Sequence, residues 1–223
     1  MDKGKAVIYG AEVYDSSDSI DATVNYAYFS LAFDNGYTVE RETNKTNETI
    51  YANLSSDVCI ISSHGNRGIM WCFDKDGNDN GAIIVHQNMA DSFGRNGTSF
   101  SDSYINQLAS NELADTRLIF YFGCETGNDC QTISATTYNL VDETFEKGAH
   151  CVIGLEKTVE QTSAFRWMDK FLEAIFLENS INEAVTYANR QCQNYGGIAI
   201  EGQTENDSTM PIYIVGDKYQ YLK

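Results

Sequence analysis

Short apolar runs alternate along the chain with stretches in which apolar residues recur at helical spacing. The runs predict strands at about 6–9, 37–40, 58–61, 118–122, 151–155 and 212–215. The helical spacing predicts helices at about 20–35, 50–54, 103–110, 132–147, 162–178 and 180–192, the last with Ser180 as its N-cap. This alternation is typical of an α/β fold with a mostly parallel central sheet of about six strands and helices on both faces.

The region between the third and fourth of these strands has a different pattern. Apolar runs at 71–73 and 82–85 flank the sequence DKDGNDNG, which predicts a β-hairpin, and the polar residues 88–103 predict a mobile loop. The stretch from Asp76 to Gly81 also matches the first half of an EF-hand calcium loop. The closing position holds Gln87 instead of glutamate, and the flanks are of strand type. A hairpin turn is therefore favoured over a calcium site.

Composition and charge limit the classes of function. Hydrophobic residues make up 42% of the chain, which is enough for one domain over residues 1–223 with a sizeable core. The formal net charge is -17. Nucleic acids and anionic membranes need a basic face, so neither is expected as a partner. An acidic surface would attract a basic peptide substrate or partner.

The N-terminal residues and the cysteines indicate the compartment. The chain opens with MDKGKAVIYG, which lacks the apolar core of a signal peptide, and no stretch is long enough to span a bilayer. The six cysteines are scattered, and several lie within apolar runs. We therefore expect reduced thiols and a cytoplasmic location. Because there is no CxxC pair and no histidine at ligand spacing, the sequence predicts no zinc site.

Two of the predicted strands end in residues suited to nucleophilic catalysis. His64 follows the strand at 58–61, and Cys124 follows the strand at 118–122. The carboxyl ends of parallel strands meet at one edge of a sheet, so neighbouring strands would place the two side chains across one groove. A thiolate is a strong nucleophile, and an imidazole exchanges a proton near neutral pH. Either residue alone is usually structural, and their paired placement is what indicates a site.

The neighbours of these residues fit acyl-transfer chemistry. Gly65 and Gly123 allow the backbone to approach a substrate closely. The backbone amides of Gly65 and Cys124 are the candidates for an oxyanion hole. The helix predicted from about residue 132 would begin soon after Cys124, so its positive N-terminal end would favour the thiolate.

The sequences around both residues resemble those of a known family. VCIISSHG and, further along, LIFYFGCETG are similar to the paired motifs of the caspase-like (clan CD) cysteine peptidases. Within that clan, CETG at 124–127 is most similar to the motif of the CHAT-domain branch, which is related to separases. The resemblance covers roughly residues 57–192. It implies a caspase-like three-layer sandwich and a Cys-His dyad, with Cys124 as nucleophile and His64 as base, and with no metal or organic cofactor.

The resemblance also bears on the substrate pocket. The family usually has a tryptophan after the strand that follows the cysteine, where this chain has Glu156. An acidic residue slightly further on often forms the floor of the S1 pocket, and its approximate counterpart is Glu160. Glu160, followed by Glu156 and Asp15, is therefore the candidate for binding a P1 arginine or lysine. The alternative is that these are solvated loop carboxylates.

Three functions remain open from the sequence. The first is a cysteine endopeptidase that cleaves a peptide or protein substrate after a basic residue, with or without an activating protein partner. The second is a catalytically silent caspase-like interaction or regulatory module that retains the dyad by descent. The third is a cysteine-dependent α/β hydrolase or transferase that acts on a small molecule.

Overall fold

The computed structural model describes residues 4–10, 23–34, 36–74, 76–95, 101–130 and 136–222. Its strands are β1 (Lys5–Gly10), β2 (Thr38–Thr43), β3 (Val58–Ser62), β4 (Gly65–Asn66), β5 (Ile69–Phe73), β6 (Asp79–Ile84), β7 (Ser103–Tyr104), β8 (Leu118–Phe122), β9 (Cys151–Leu155) and β10 (Ile212–Gly216). Its α-helices are α1 (Thr23–Phe33), α2 (Asn47–Ala52), α3 (Leu140–Glu146), α4 (Gln161–Phe176) and α5 (Ile181–Gln193). Short 3-10 helices lie at Gln87–Phe93 and Ile105–Gln107.

Six of the strands form a central sheet in the order β10-β9-β8-β3-β1-β2. All neighbours are parallel except β10, which runs antiparallel to β9. In the register of the two middle strands, Ser62 at the end of β3 is paired with Phe122 at the end of β8. The predicted sheet of about six mostly parallel strands is confirmed, and β3 and β8 end level with each other.

Two apolar cores lie on opposite faces of this sheet. On one face, residues such as Ile60 and Phe120 pack with α1, α4 and α5. On the other face, residues such as Ile61 and Tyr121 pack with α2, α3 and a smaller sheet. Successive strand residues point to opposite faces, so strands buried on both sides are apolar at every position. The predicted three-layer arrangement is confirmed.

The local sequence explains which face of α4 is buried and where α5 begins. In α4, Trp167, Phe171 and Ile175 recur at helical spacing and are fully buried. α5 begins at the predicted cap: the hydroxyl of Ser180 accepts the amide of Glu183, and the carboxylate of Glu183 accepts the amide of Ser180. Among the helices of the described ranges, none has both the length and the apolar character needed to cross a bilayer.

The helix predicted over 132–147 is shorter than expected. Residues 136–139 are not helical, and α3 begins directly after Asn139. The side-chain oxygen of Asn139 accepts hydrogen bonds from the first amides of α3, and its Nδ2 donates to the carbonyl oxygen of Gly127 (2.9 Å). An asparagine that satisfies these amides starts the helix there. The predicted continuous helix is therefore wrong, and α3 does not begin soon after Cys124 as expected.

A smaller sheet with the order β4-β5-β6-β7 packs on the second face. β5 and β6 form the predicted antiparallel hairpin. At its turn the carboxylate of Asp74 accepts the amides of Asp76 and Asn78 (2.8 and 2.9 Å), and Asp79 forms an ion pair with Arg95. The EF-hand-like stretch therefore forms part of the hairpin turn, and the carboxylate of Asp79 within it pairs with Arg95. Over the described part of the chain, no three His, Cys, Asp or Glu side chains are grouped as metal ligands.

The stretch 88–103 is predicted as a mobile loop, and its residues 96–100 lie outside the described residues. The guanidinium of Arg95 contacts Asp79 (2.5 Å) and Asp102 (2.6 Å), and the side chains of Arg95 and Asp102 are only 3% and 1% exposed. Asp102 also accepts the amide of Ala82 in β6 (2.9 Å). Separating these charges would leave one of them buried and unpaired, so Arg95 and Asp102 are both held on the hairpin.

The Arg95–Asp102 pair leads to a prediction about stability. Replacing Arg95 by methionine (R95M) retains alkyl volume but leaves Asp102 buried without its counter-charge, so we expect a loss of about 3–5 kcal/mol in the free energy of unfolding. The matched control is R67M, because Arg67 is exposed and its ion pair with Glu125 (3.4 Å) is worth about 1 kcal/mol or less. Urea unfolding followed by circular dichroism measures both losses. Equal losses in the two variants would contradict the anchoring role.

Candidate active site

His64 and Cys124 stand at the same edge of the central sheet. Each follows the end of its strand by two positions, and those ends, Ser62 and Phe122, are paired with each other. Both residues line one groove of about 310 Å³. His64 is exposed, and Cys124 is half-buried. The structure thus brings together the two residues that the sequence placed at strand ends.

The groove has an apolar wall and a polar rim. Strand ends, Val159 and the first turns of α4 supply the apolar residues, and Thr158 and Glu201 supply polar groups. The lining residues are Ser63, His64, Phe122, Gly123, Cys124, Leu155, Thr158, Val159, Gln161, Ala164, Phe165 and Glu201. Apolar and polar groups therefore line the same groove.

Two glycines allow the turns that carry His64 and Cys124 to touch. A Cβ atom on Gly123 would lie 2.8 Å from the carbonyl oxygen of Ser63 and 3.1 Å from the amide nitrogen of Gly65. A Cβ atom on Gly65 would lie 3.0 Å from the carbonyl oxygen of Cys124. Backbone atoms cannot retreat from contacts this short, so glycine is required at both positions. The amides of Gly65 and Cys124, the predicted oxyanion-hole donors, consequently lie on adjoining turns.

Thr126 holds the turn that presents Cys124. Its side chain is buried, and its hydroxyl lies 2.9 Å from the carbonyl oxygen of Tyr121 and 2.8 Å from that of Gly123. The same hydroxyl accepts a hydrogen bond from the amide of Leu155 (3.1 Å). One hydroxyl therefore ties the end of β8 to the end of β9. This gives the threonine of CETG a structural role.

Glu125 and Gly127 complete the same turn. Glu125 has a φ of 54°, in the left-handed region that non-glycine residues seldom occupy. The amide of Gly127 donates to the carbonyl oxygen of Leu155 (2.8 Å), and a Cβ atom on Gly127 would lie 3.1 Å from the carbonyl carbon of Gly154. The backbone of the turn is thus in close contact with β9. The chain reverses direction at this turn, immediately after Cys124.

The thiol of Cys124 is held against the segment 157–160. Thr158 and Val159 line the groove together with Cys124. Burial raises the pKa of the Cys124 thiol, the polar hydrogens of Val159 and Thr158 lower it, and the carboxylate of Glu201 raises it. The net effect is a pKa above the ordinary value, so the resting residue is a thiol near neutral pH.

The two predicted acidic candidates that the structure describes, Glu160 and Glu156, do not line this groove. Glu160 is the N-cap of α4, and its carboxylate accepts the amide of Ser163 (2.9 Å). Glu156 is exposed, and it contributes no atom to the groove. Asp15 lies outside the described residues. Of the carboxylates in the described ranges, the one that lines the groove belongs to Glu201.

Sequence reasoning missed Glu201 because the segment that contains it has no periodic pattern. Tertiary pairing brings it to the site: Val159 forms an antiparallel bridge with Ile200, and the amide of Glu201 donates to the carbonyl oxygen of Thr158 (2.9 Å). Nothing in the polar residues 201–209 predicts this pairing. Its one signal in the sequence is the short apolar stretch at 198–200, which is typical of many loops.

Comparison with known proteins bears on the fold. No protein-family model matches the chain, and no curated protein matches it in sequence. Among solved structures, the crystal structure of caspase-1 from Spodoptera frugiperda superposes with a TM-score of 0.56, covering 96% of this chain and 88% of that one. The chain has the caspase-like fold. At 16% identity the likeness concerns the fold alone.

The caspase-like fold explains where the groove lies. Parallel sheets place their sites beyond the carboxyl ends of the strands, and here β3 and β8 end side by side at the centre of the sheet. The similarity of CETG to the CHAT-domain branch is not addressed by a caspase structure, so that finer assignment stays a prediction.

The hydrogen bonds of Thr126 lead to a second prediction. Replacing it by valine (T126V) keeps the volume but leaves the buried amide of Leu155 without its acceptor, so we expect a loss of about 1–3 kcal/mol in unfolding free energy. The turn should also loosen, so alkylation of Cys124 by iodoacetamide should change in rate. T126S retains the hydroxyl and should keep the wild-type alkylation rate. If T126S and T126V alter that rate equally, the hydroxyl does not position Cys124.

Proposed function

We propose that this chain is a cysteine peptidase that uses Cys124 as nucleophile and His64 as general acid and base. The observation that supports this most strongly is the shared groove of the two residues beyond paired parallel strands. The caspase-like fold is consistent with the proposal. A groove open to solvent also suits a peptide better than a small metabolite, which enzymes usually enclose.

The proposed reaction is acyl transfer in two halves. His64 takes the thiol proton as the sulfur of Cys124 attacks the scissile carbonyl carbon, and the amides of Gly65 and Cys124 hold the resulting oxyanion. His64 then gives the proton to the leaving amine, which leaves a thioester on Cys124. In the second half His64 takes a proton from water, the hydroxide attacks the thioester carbonyl, the acid product departs, and the displaced sulfur recovers the proton from His64. The raised pKa of the Cys124 thiol is consistent with transfer of its proton to His64 during the attack.

A basic P1 side chain fits the groove. The stem of a lysine or arginine would lie along Val159 and Phe165, and its cation would reach the carboxylate of Glu201 at the rim. Glu201 therefore replaces Glu160 as the proposed selective residue, because the carboxylate of Glu160 caps α4 instead. The preference for arginine or lysine is itself part of the proposal.

Activity-based labelling tests the reaction. A peptidyl acyloxymethylketone with P1 arginine should label the full chain once, at Cys124, as read by intact mass and peptide mapping. C124A should abolish the labelling, and H64A should slow it by about 10²- to 10⁴-fold because the proton carrier is lost.

The control for this experiment is C192A, because Cys192 is buried in α5. Its labelling should match that of the wild type. Labelling that survives C124A would refute the proposed nucleophile. Absence of labelling with every P1 residue would favour the interaction module over the peptidase.

Substrate profiling tests the P1 preference. E201Q should lower kcat/KM for P1 arginine substrates by about 10- to 100-fold, because a hydrogen bond between two charged groups is replaced by a neutral one. The matched control is E160Q, which changes a glutamate outside the groove and should leave the P1 profile unaltered. If E160Q alters the profile and E201Q does not, Glu160 is the selective residue after all.

A further inference from the structure

The segment 157–160 lies between the nucleophile and the acidic rim. On one side, Thr158 and Val159 line the groove together with Cys124. On the other side, the carbonyl oxygen of Thr158 accepts the amide of Glu201 (2.9 Å), and Val159 is bridged to Ile200. Backbone pairing therefore holds Glu201 beside the segment that lines the groove with Cys124, and both residues line that groove.

Glu201 also lies where two depressions meet. Together with Thr158 it lines the groove and a neighbouring depression that includes Glu125, Lys157 and Gln203. An exposed carboxylate at such a junction is reachable by a substrate side chain that enters the groove. Because Glu201 and Cys124 line the same groove, the negative charge of the carboxylate opposes ionisation of the thiol.

The other charged groups near the sulfur do not duplicate this effect. His64 lines the groove with Cys124 and is the proposed proton carrier. Lys157 is ion-paired with Asp207 (3.0 Å), and Glu125 contacts Arg67 across the turn (3.4 Å). The carboxylate of Glu160 is turned into the start of α4. Within the described residues, Glu201 is the carboxylate that faces both the groove and the thiol.

We propose that a cationic substrate side chain bound at Glu201 promotes ionisation of Cys124, so that one residue both selects the substrate and triggers the nucleophile. The positive charge would neutralise the carboxylate that opposes the thiolate, and the thiol proton would pass to His64. An uncharged P1 residue would leave Glu201 unneutralised and Cys124 protonated. This inference rests on the proposed peptidase function and deepens it.

The coupling predicts that E201Q has opposite effects on two rates, the alkylation of Cys124 in the free protein and the reaction with a P1 arginine substrate. In free protein, E201Q removes a charge that opposes the thiolate, so Cys124 should become more reactive. Toward a P1 arginine substrate, the same variant loses its cation-binding group and should become slower. A residue that merely shaped the groove would slow both processes or neither.

The experiment follows alkylation of Cys124 in the full chain by iodoacetamide, an uncharged reagent, between pH 6 and pH 10. Mapping the Cys124 peptide by mass spectrometry separates it from the buried cysteines, such as Cys59, where burial raises the thiol pKa to about 12. At pH 7.5, E201Q should react about three- to tenfold faster than wild type. Its rate profile should also have a lower midpoint. E160Q should match the wild type in both respects.

A pair of small probes tests the role of the cation directly. n-Butylguanidine and n-butylurea have the same shape, and only the first is charged. Saturating n-butylguanidine should lower the midpoint of wild-type alkylation, whereas n-butylurea should not, and E201Q should respond to neither. Comparing midpoints rather than plateau rates removes the effect of a probe that simply obstructs the groove.

The outcomes separate the coupling from the proposed function. If E201Q has the wild-type midpoint yet loses its P1 arginine preference, the coupling is overturned and the peptidase proposal stands. If no acyloxymethylketone labels Cys124 but the midpoint shifts in E201Q, the electrostatic link between the two residues stands and the peptidase proposal fails. An equal response of the midpoint to both probes would overturn the role assigned to charge.

Discussion

The parallel pairing of β3 and β8 is the constraint on which the candidate site depends. Ser62 lies opposite Phe122, so the two chains leave the sheet at the same level. A shift of one residue in this register would turn the side chains of one strand to the other face and destroy both cores. The burial of Ile60, Ile61, Phe120 and Tyr121 therefore determines where His64 and Cys124 emerge.

A second constraint acts at the carboxyl ends of β3 and β8, where the backbones of two turns are in close contact. Gly65 and Gly123 let two turns touch, and Thr126 ties the turn of Cys124 to β9 through one buried hydroxyl. These features leave little freedom around the sulfur. Such rigidity suits the proposed reaction, in which amides hold a carbonyl oxygen while the nucleophile attacks the carbon of the same group.

The groove disfavours the thiolate form of Cys124, which the proposed reaction needs. The proposed coupling would favour that form when substrate binds. Burial is the largest cause that raises the pKa of the Cys124 thiol, and the carboxylate of Glu201 raises it further. A permanently ionised thiolate would react faster but with less discrimination. A nucleophile that is activated by the charge of its own substrate gains selectivity without a separate switch.

By itself, the sequence determined the strands of the central sheet, the hairpin, the Ser180 cap and the positions of His64 and Cys124, because apolar runs and capping residues act over short distances. It failed at 132–147, where Asn139 starts α3 late, and it did not predict that Glu201 lines the groove. The carboxylate of Glu160 forms a local helix cap, whereas Glu201 reaches the groove through pairing between distant segments. Only the tertiary structure shows which of these carboxylates lines the groove, because long-range backbone pairing leaves no periodic trace in the residues it joins.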